Sequence, residues 1–224
     1  MVEFLIIERM EDRKIHWENI YGTKKFTEVS WYQQKPEVSL DYIHTTGLEK
    51  DSAIIDIGGG DSYLVDFLLS EGYSDISVLD ISEKALARAK DRLEDKTLNV
   101  KWIVADAAGF KPQRKYDIWH DRAAFHFLTE KNDIDNYIKN LEEAVNPGGH
   151  VILGTFSDKG PEKCSGIYIR QYSAEEMGNL LSSDFELLGC ENIDHTTPSG
   201  AVQNFTFCRW KRINHQRDVN ISGK

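Results

Sequence analysis

The sequence predicts an α/β protein: a seven-stranded, mostly parallel sheet with helices on both faces. Three observations predict it. Short β-branched runs recur at Ala53–Ile57, Ile76–Ile81 and Val100–Val104. Amphipathic segments of helical period lie between them, and strand–helix alternation is what a parallel sheet requires. Each run ends in, or is followed by, an acid or a glycine turn, and near-continuous apolar runs of this kind are typical of strands covered on both faces.

Before the first strand, Glu11 to Tyr21 reads as a helix carrying Trp17 and Tyr21. Pro36 opens a second helix to about His44, at an early position where its missing N–H costs little. After the strand Ala53–Ile57, Asp61 or Ser62 caps a helix whose Leu64, Val65, Leu68 and Leu69 share one face. The second strand, Ile76–Ile81, leads to Ser82, which caps a helix through about Glu94 with Ala85, Leu86, Ala89 and Leu93 on one stripe. Val100–Val104 and Tyr116–His120 are the third and fourth strands. Asn132 to Val145 is helical, with Ile134, Ile138, Leu141 and Val145 inward, and Gly149–Phe156 is the fifth strand. Ser173 and Glu176 form a capping box for a helix ending near Leu181. Phe185–Cys190 and Asn204–Trp210 are two late strands, the last clearly alternating. At 224 residues, with no repeat and no linker, one domain with a full core is expected.

The chemistry concentrates at the strand ends. Ile54 to Leu64 reads Ile-Ile-Asp-Ile-Gly-Gly-Gly-Asp-Ser-Tyr-Leu, a strand turning through glycine into a helix. Glycine lets backbone approach a ligand, and a helix start offers free N–H groups. Asp80 ends the second strand at about the spacing where an acid meets ribose hydroxyls, whose two vicinal donors suit a carboxylate. Asp106 follows the third strand. The dinucleotide pattern G-x-G-x-x-G fails at Tyr63, and Asp56 and Asp61 flank the loop with negative charge. That charge opposes a pyrophosphate and suits a ligand bearing an amino group and a sulfonium, namely S-adenosylmethionine.

The runs Asp56-Ile-Gly-Gly-Gly-Asp61, Val78-Leu-Asp80-Ile-Ser82, Ala105-Asp106-Ala107 and Asn146-Pro-Gly-Gly149 together resemble the successive motifs of class I S-adenosylmethionine-dependent methyltransferases. The resemblance spans about Trp17 to Trp210. It implies a Rossmann-like sheet whose last strand enters antiparallel. It also implies that Asp56 and Gly58, Gly59 and Gly60 line the methionine part of the cofactor, that Asp80 holds the ribose with Ile81 packed on the adenine, and that Asp106 accepts from the adenine amino group beside Ala107. Asp121, at the end of the fourth strand, joins this cofactor-binding set. Gly59 fits the usual glycine pattern loosely, and Asp61 replaces a common third glycine. The N-terminal stretch is similar to thiopurine-methyltransferase-like enzymes and small protein-lysine methyltransferases. The latter carry an Asp-Lys-Gly-Thr-type segment where this chain has Asp121-Arg-Ala-Ala124.

A net charge of −10 argues against a general nucleic-acid binder, and no apolar run is long enough to cross a bilayer. Arg209 to Lys224 carries five Lys or Arg against one Asp and reads as a solvated tail. Cys164, Cys190 and Cys208 show neither metal spacing nor a paired framework. A reducing, cytoplasmic setting and no metal site are therefore expected. Cys208 reads as simply buried. Cys164 lies in a polar loop, either an idle surface thiol or one on the substrate side.

Methyl transfer is an in-line displacement, so positioning is a large part of its catalysis. The segment after the fourth strand, His120-Asp-Arg-Ala-Ala-Phe-His-Phe127, is expected at the methyl group. There Asp121 or His126 would handle a proton or cation while Arg122 orients an acidic group; the alternative is that Asp121 pairs with Arg122 and His126 is structural. Trp17, Tyr21, Trp31 and Tyr32 read either as core or as part of a helical lid over residues 1–48, with Trp31 or Tyr32 touching the substrate. The methyltransferase domain proper covers 49–212 and a flexible tail 213–224. His195 to Ser199 reads as a turn, with a substrate loop as the alternative. No catalytic residue is assigned. The expected acceptor is a small molecule with a thiol or nitrogen nucleophile. A protein lysine and a catalytically idle cofactor-binding subunit are the alternatives.

Overall fold

The computed structural model describes residues 2–214. Its helices are α1 (Val2–Thr23), α2 (Glu37–Thr45), α3 (Leu64–Ser70), α4 (Glu83–Leu93), α5 (Lys131–Ala144) and α6 (Ala174–Gly178). Its strands are β1 (Ala53–Ile57), β2 (Asp75–Asp80), β3 (Val100–Val104), β4 (Tyr116–Arg122), β5 (Val145–Phe156), β6 (Lys163–Cys164), β7 (Ile167–Tyr168), β8 (Phe185–Thr196) and β9 (Val202–Arg212). Seven strands form one sheet in the order β3-β2-β1-β4-β5-β9-β8. The first five are parallel, and β9 runs antiparallel to both β5 and β8. This is the Rossmann-like class I methyltransferase arrangement, with its reversed last strand.

The β-branched runs become strands because both faces of the sheet are covered. All five residues of β1 are buried. On one face, Leu40 and Ile43 of α2, Leu64, Val65 and Leu68 of α3 and Leu86 and Leu93 of α4 pack over Ile54, Val78 and Ile118. On the other, Tyr137 and Leu141 of α5 and Met177 of α6 cover Ile55, Trp119 and Leu153. Each fully buried aliphatic side chain contributes about 1.5–3 kcal/mol, so these two layers hold the strand ends rigidly. Asp117 ties the opposite end, accepting from the Ala53 amide and the Asn146 side chain at 2.8 Å each.

Several local expectations are corrected. Neither Asp61 nor Ser62 is the N-cap of α3. That position is Tyr63, with no side-chain cap, although Ser62 Oγ accepts from the Leu64 amide at 3.2 Å. The Ser82 cap and the Ser173–Glu176 box form as expected. β5 begins at Val145, so Pro147-Gly148-Gly149 is a kinked strand entry, with a register shift against β4 and φ +81° at Gly148. The polar loop around Cys164 folds into the β6–β7 hairpin, with Cys164 buried.

Cys190 and Cys208 face each other across β8 and β9, Cα atoms 4.1 Å apart, and are joined as a disulfide. The expectation of unpaired cysteines is thereby overturned, and with it the argument for a reducing compartment. No helix among the described residues is long and apolar enough to cross a membrane. Of the stretch read as a solvated tail, Arg209 to Arg212 instead complete β9, with Trp210 buried; Ile213 and Asn214 follow it, and the rest lies outside the described residues.

Candidate functional site

The C-terminal ends of β1 to β4 open into a hollow. Its floor is Gly58, Leu79, Asp80, Ile81, Ala105, Asp106 and Ala107, all from strand ends and their turns. Its roof is Trp17 and Tyr21 of α1 with Trp31, and its far wall is Arg122, Ala123, Ala124, Phe127, Leu128 and Cys164. The roof rings pack edge-on, Trp17 against Trp31 at 5.8 Å and against Phe127 at 4.9 Å. Largely apolar walls with few polar groups suit a small ligand.

Two acids meet there. Asp80 Oδ1 accepts from the Ser82 amide at 2.8 Å. Burial pushes Asp80 up to about 7, with the charges of Asp61, Asp56 and Glu18 adding to the rise and the Ser82 amide opposing it. Asp106 Oδ1 accepts from the Ala108 amide at 2.8 Å. Its Oδ2 lies 2.8 Å from Arg13 Nε, close enough for an ion pair, yet both atoms lack an aligned hydrogen bond. A buried acceptor with an open slot suits an amino donor. Arg13 also pairs with Asp133 at 2.8 Å, so α1 is fastened to the rim; this arginine was not singled out from sequence, because its partners lie far along the chain.

The glycine turn is tight because side chains crowd it. Gly58 has φ +66°, and a Cβ there would collide with the Ala124 methyl. At Gly60, φ +49°, a Cβ would sit 2.7 Å from the Tyr21 hydroxyl and 3.1 Å from Asp80 Oδ2. Two arginines one turn apart on α4 hold the loop. Arg92 donates to Asp66 at 2.9 and 2.8 Å and to the carbonyls of Asp61 and Ser62 at 2.9 and 2.8 Å. Arg88 reaches Asp61 at 3.2 Å and the Lys24 carbonyl at 2.7 Å. Asp61 thus serves the loop, not a ligand. Arg92→Ala should lower the urea-unfolding free energy by about 1–3 kcal/mol, as charge-assisted hydrogen bonds are lost; an unchanged midpoint would refute this role for the guanidinium.

The structure separates the residues expected after the fourth strand. Asp121 was grouped with the cofactor-binding residues. It is fully buried inside β4, where it accepts from Tyr137 Oη at 2.8 Å and from the Ala124 and Phe125 amides at 3.0 and 3.1 Å. Burial raises it to about 6 against those donors, and it does not line the hollow. It shapes the turn carrying Ala123 and Ala124. His126 Nδ1 accepts from the Phe156 amide at 3.1 Å, and burial, helped by the Arg122 charge, lowers its pKa to about 3. A neutral ring behind the wall does not handle protons near pH 7. Tyr32 packs edge-on against Phe26 and Tyr63 and faces a separate shallow hollow with His195 and Thr197. Trp31 and Arg122 do line the main hollow.

Beneath the glycine turn a smaller hollow contains Ser39, Asp56, Gly59, His120 and Arg122. His120 Nδ1 lies 2.7 Å from Asp56 Oδ1, and Nε2 lies 2.9 Å from Ser39 Oγ. With Asp56 accepting, Nδ1 carries the proton and Nε2 accepts from the serine hydroxyl. The chain locks the Asp56 carboxylate under the loop. The β1–β4 register, which sets Asp56 opposite His120, makes the contact, so it is legible only once strands are paired.

Residues 54–149 match the family described as "Methyltransferase domain". Malonyl-[acyl-carrier protein] O-methyltransferase 2 of Ilyobacter polytropus is 27% identical over 148 residues, covering 66% of this chain and 55% of that protein. The chain thus spans about half the length of this curated relative. A S-adenosylmethionine-dependent methyltransferase from Methanosarcina mazei superimposes with a TM-score of 0.65 at 19% identity, covering 81% of this chain and 99% of that one. The N-methyltransferase NodS of Bradyrhizobium japonicum, solved with S-adenosyl-L-homocysteine, superimposes with a TM-score of 0.63 at 16% identity, covering 80% and 89%.

Proposed function

From a chain whose residues 54–149 form a class I S-adenosylmethionine-dependent methyltransferase domain, we propose an enzyme that moves a methyl group from that cofactor to a small acceptor through a thiol or nitrogen nucleophile. The observation that carries this reading is the convergence of Asp80, Asp106 and the glycine turn on one aromatic-roofed hollow. The methyltransferase names of the relatives support it.

In this reading Asp80 takes the ribose hydroxyls, Ile81 and Ala107 lie along the adenine, Asp106 takes its amino group, and Gly58 of the main hollow, with Asp56 and Gly59 of the smaller one, takes the methionine part; Gly60 lines neither hollow. The bound cofactor supplies an electrophilic methyl on a sulfonium. The chain supplies a shaped, dry enclosure: Trp17, Tyr21 and Trp31 over residues 1–48 act as the lid and exclude water. The titratable groups lining the hollow are Asp80 and Asp106, paired as described, Arg13 and Arg122, Tyr21 and Cys164. Burial raises both the Tyr21 hydroxyl and the Cys164 thiol. In this reading Asp80 and Asp106 are committed to the cofactor, which leaves the acceptor no free base among them, so the nucleophile arrives unprotonated or loses its proton to water, and positioning carries the rate.

The test is calorimetric titration with S-adenosylhomocysteine followed by methyl transfer to a panel of thiols and amines. Micromolar binding with turnover is expected. Binding without turnover on any acceptor would establish the idle-subunit reading. Binding of NADH without S-adenosylhomocysteine would sink the cofactor assignment. The enclosed roof favours a small acceptor over a protein side chain.

A further inference from the structure

One charge in the main hollow is not among the residues assigned to the cofactor. Arg122 ends β4 and lines both hollows. Its Nη1 donates to the Trp31 carbonyl at 3.1 Å, and its guanidinium lies 5.0 Å from the Phe205 ring centre. Its Nη2 is sealed from solvent and has no acceptor. No carboxylate among the described residues forms an ion pair with it, whereas Arg13, the other arginine of the hollow, sits between two.

The surroundings do not neutralise it. Burial, with Arg122's own charge, lowers His126 and His195, so both are neutral near pH 7. Burial raises the Cys164 thiol, which stays protonated. Asp56 is the acid whose field reaches Arg122, and it is engaged by His120. A half-buried cation with a sealed, open donor and no counter-charge is costly alone, and a planar fork matches a carboxylate.

We propose that Arg122 anchors a carboxylate carried by the methyl acceptor, making the substrate a small carboxylic acid with its nucleophile elsewhere on the molecule. This rests on the methyltransferase reading. The same chemistry exists in the cofactor's own amino-acid tail, and the experiment separates the two sources.

Wild type, Arg122→Gln and Arg122→Lys are titrated with S-adenosylhomocysteine and with 5′-methylthioadenosine, which lacks the amino-acid tail. Each protein saturated with S-adenosylhomocysteine is then titrated, by tryptophan fluorescence, with acetate, 3-mercaptopropionate and 3-phenylpropionate and with their neutral amides. At least one acid should bind the wild type, its amide should not, and Arg122→Gln should weaken it by about tenfold or more. S-adenosylhomocysteine should change by less than about threefold on the same scale. Arg122→Lys keeps the charge and loses the fork; it should retain the fold and bind the acid with intermediate affinity, a readout that stands if the Gln variant does not fold.

Equal acid binding by wild type and both variants, or no acid binding to the wild type, overturns the proposal. So does a tenfold loss for S-adenosylhomocysteine with methylthioadenosine unchanged, which would assign Arg122 to the cofactor's tail. Failure of S-adenosylhomocysteine to bind the wild type overturns the cofactor reading itself, and this inference with it.

Discussion

Asp80→Ala should weaken S-adenosylhomocysteine binding by roughly tenfold or more, the loss expected for a charge-assisted hydrogen-bond pair. The same carboxylate predicts a pH dependence. Burial holds ligand-free Asp80 at about 7, while hydroxyl donors favour the ionised form and depress its pKa in the complex. Below pH 7 binding must therefore expel a proton, and affinity should fall by up to about tenfold per pH unit. Above about pH 8 it should level off. Calorimetry at pH 6 and 8, in buffers of different ionisation enthalpy, reads both the affinity and the proton released. Asp80→Asn should flatten the profile. A wild-type affinity independent of pH would remove Asp80 from the ribose.

Gly58→Ala is the second large effect. The new methyl meets Ala124 while the backbone holds φ +66°. The left-handed conformation costs about 1–2 kcal/mol and the overpacking about 1–3 kcal/mol more, so a loss of about 2–5 kcal/mol in urea-unfolding free energy is expected. Relief of the clash by moving the loop would carry Gly59 and Gly60 with it, so cofactor affinity should fall at least about tenfold. Adding Ala124→Gly removes the collision and leaves the backbone cost, which predicts partial recovery in a double-mutant cycle. Wild-type stability for Gly58→Ala would show that the turn is slack.

Strand existence was legible wherever apolar residues alone decide it. β1 and β3 have the expected bounds; for β1 the reason is that a β-branched run without turn residues has one good solution in a covered sheet, while β3 is a half-exposed edge strand. Expectation stopped short where polar residues continue a strand. Asp121 and Arg122 read as loop, yet Tyr137 and two amides satisfy Asp121 inside β4. β8 runs on past Cys190 to Thr196 as an edge strand whose exposed Glu191, Asn192 and Asp194 erase the apolar signal. Among the site residues, Asp80 and Asp121 look alike in sequence, each an acid at a strand end. What separates them is that Tyr137 of α5 donates to Asp121 inside the fold, and that is a tertiary fact. The Cys190–Cys208 pairing and the Ser39–His120–Asp56 chain depend likewise on register or packing across the fold.

The order β5-β9-β8 has a kinetic consequence. Synthesis delivers β8 before the strand that joins it to β5, so residues 185–196 emerge with no backbone partner. The parallel core can collapse early, but the edge can zip up only after Val202–Arg212 has left the ribosome and slid between its neighbours. β9 pairs with its sequence neighbour β8 on one side, but on the other it must find β5, a more distant segment, the kind of contact that slows folding. Truncation before Val202 would thus remove β9 and orphan β8, leaving β5 as a raw, adhesive border.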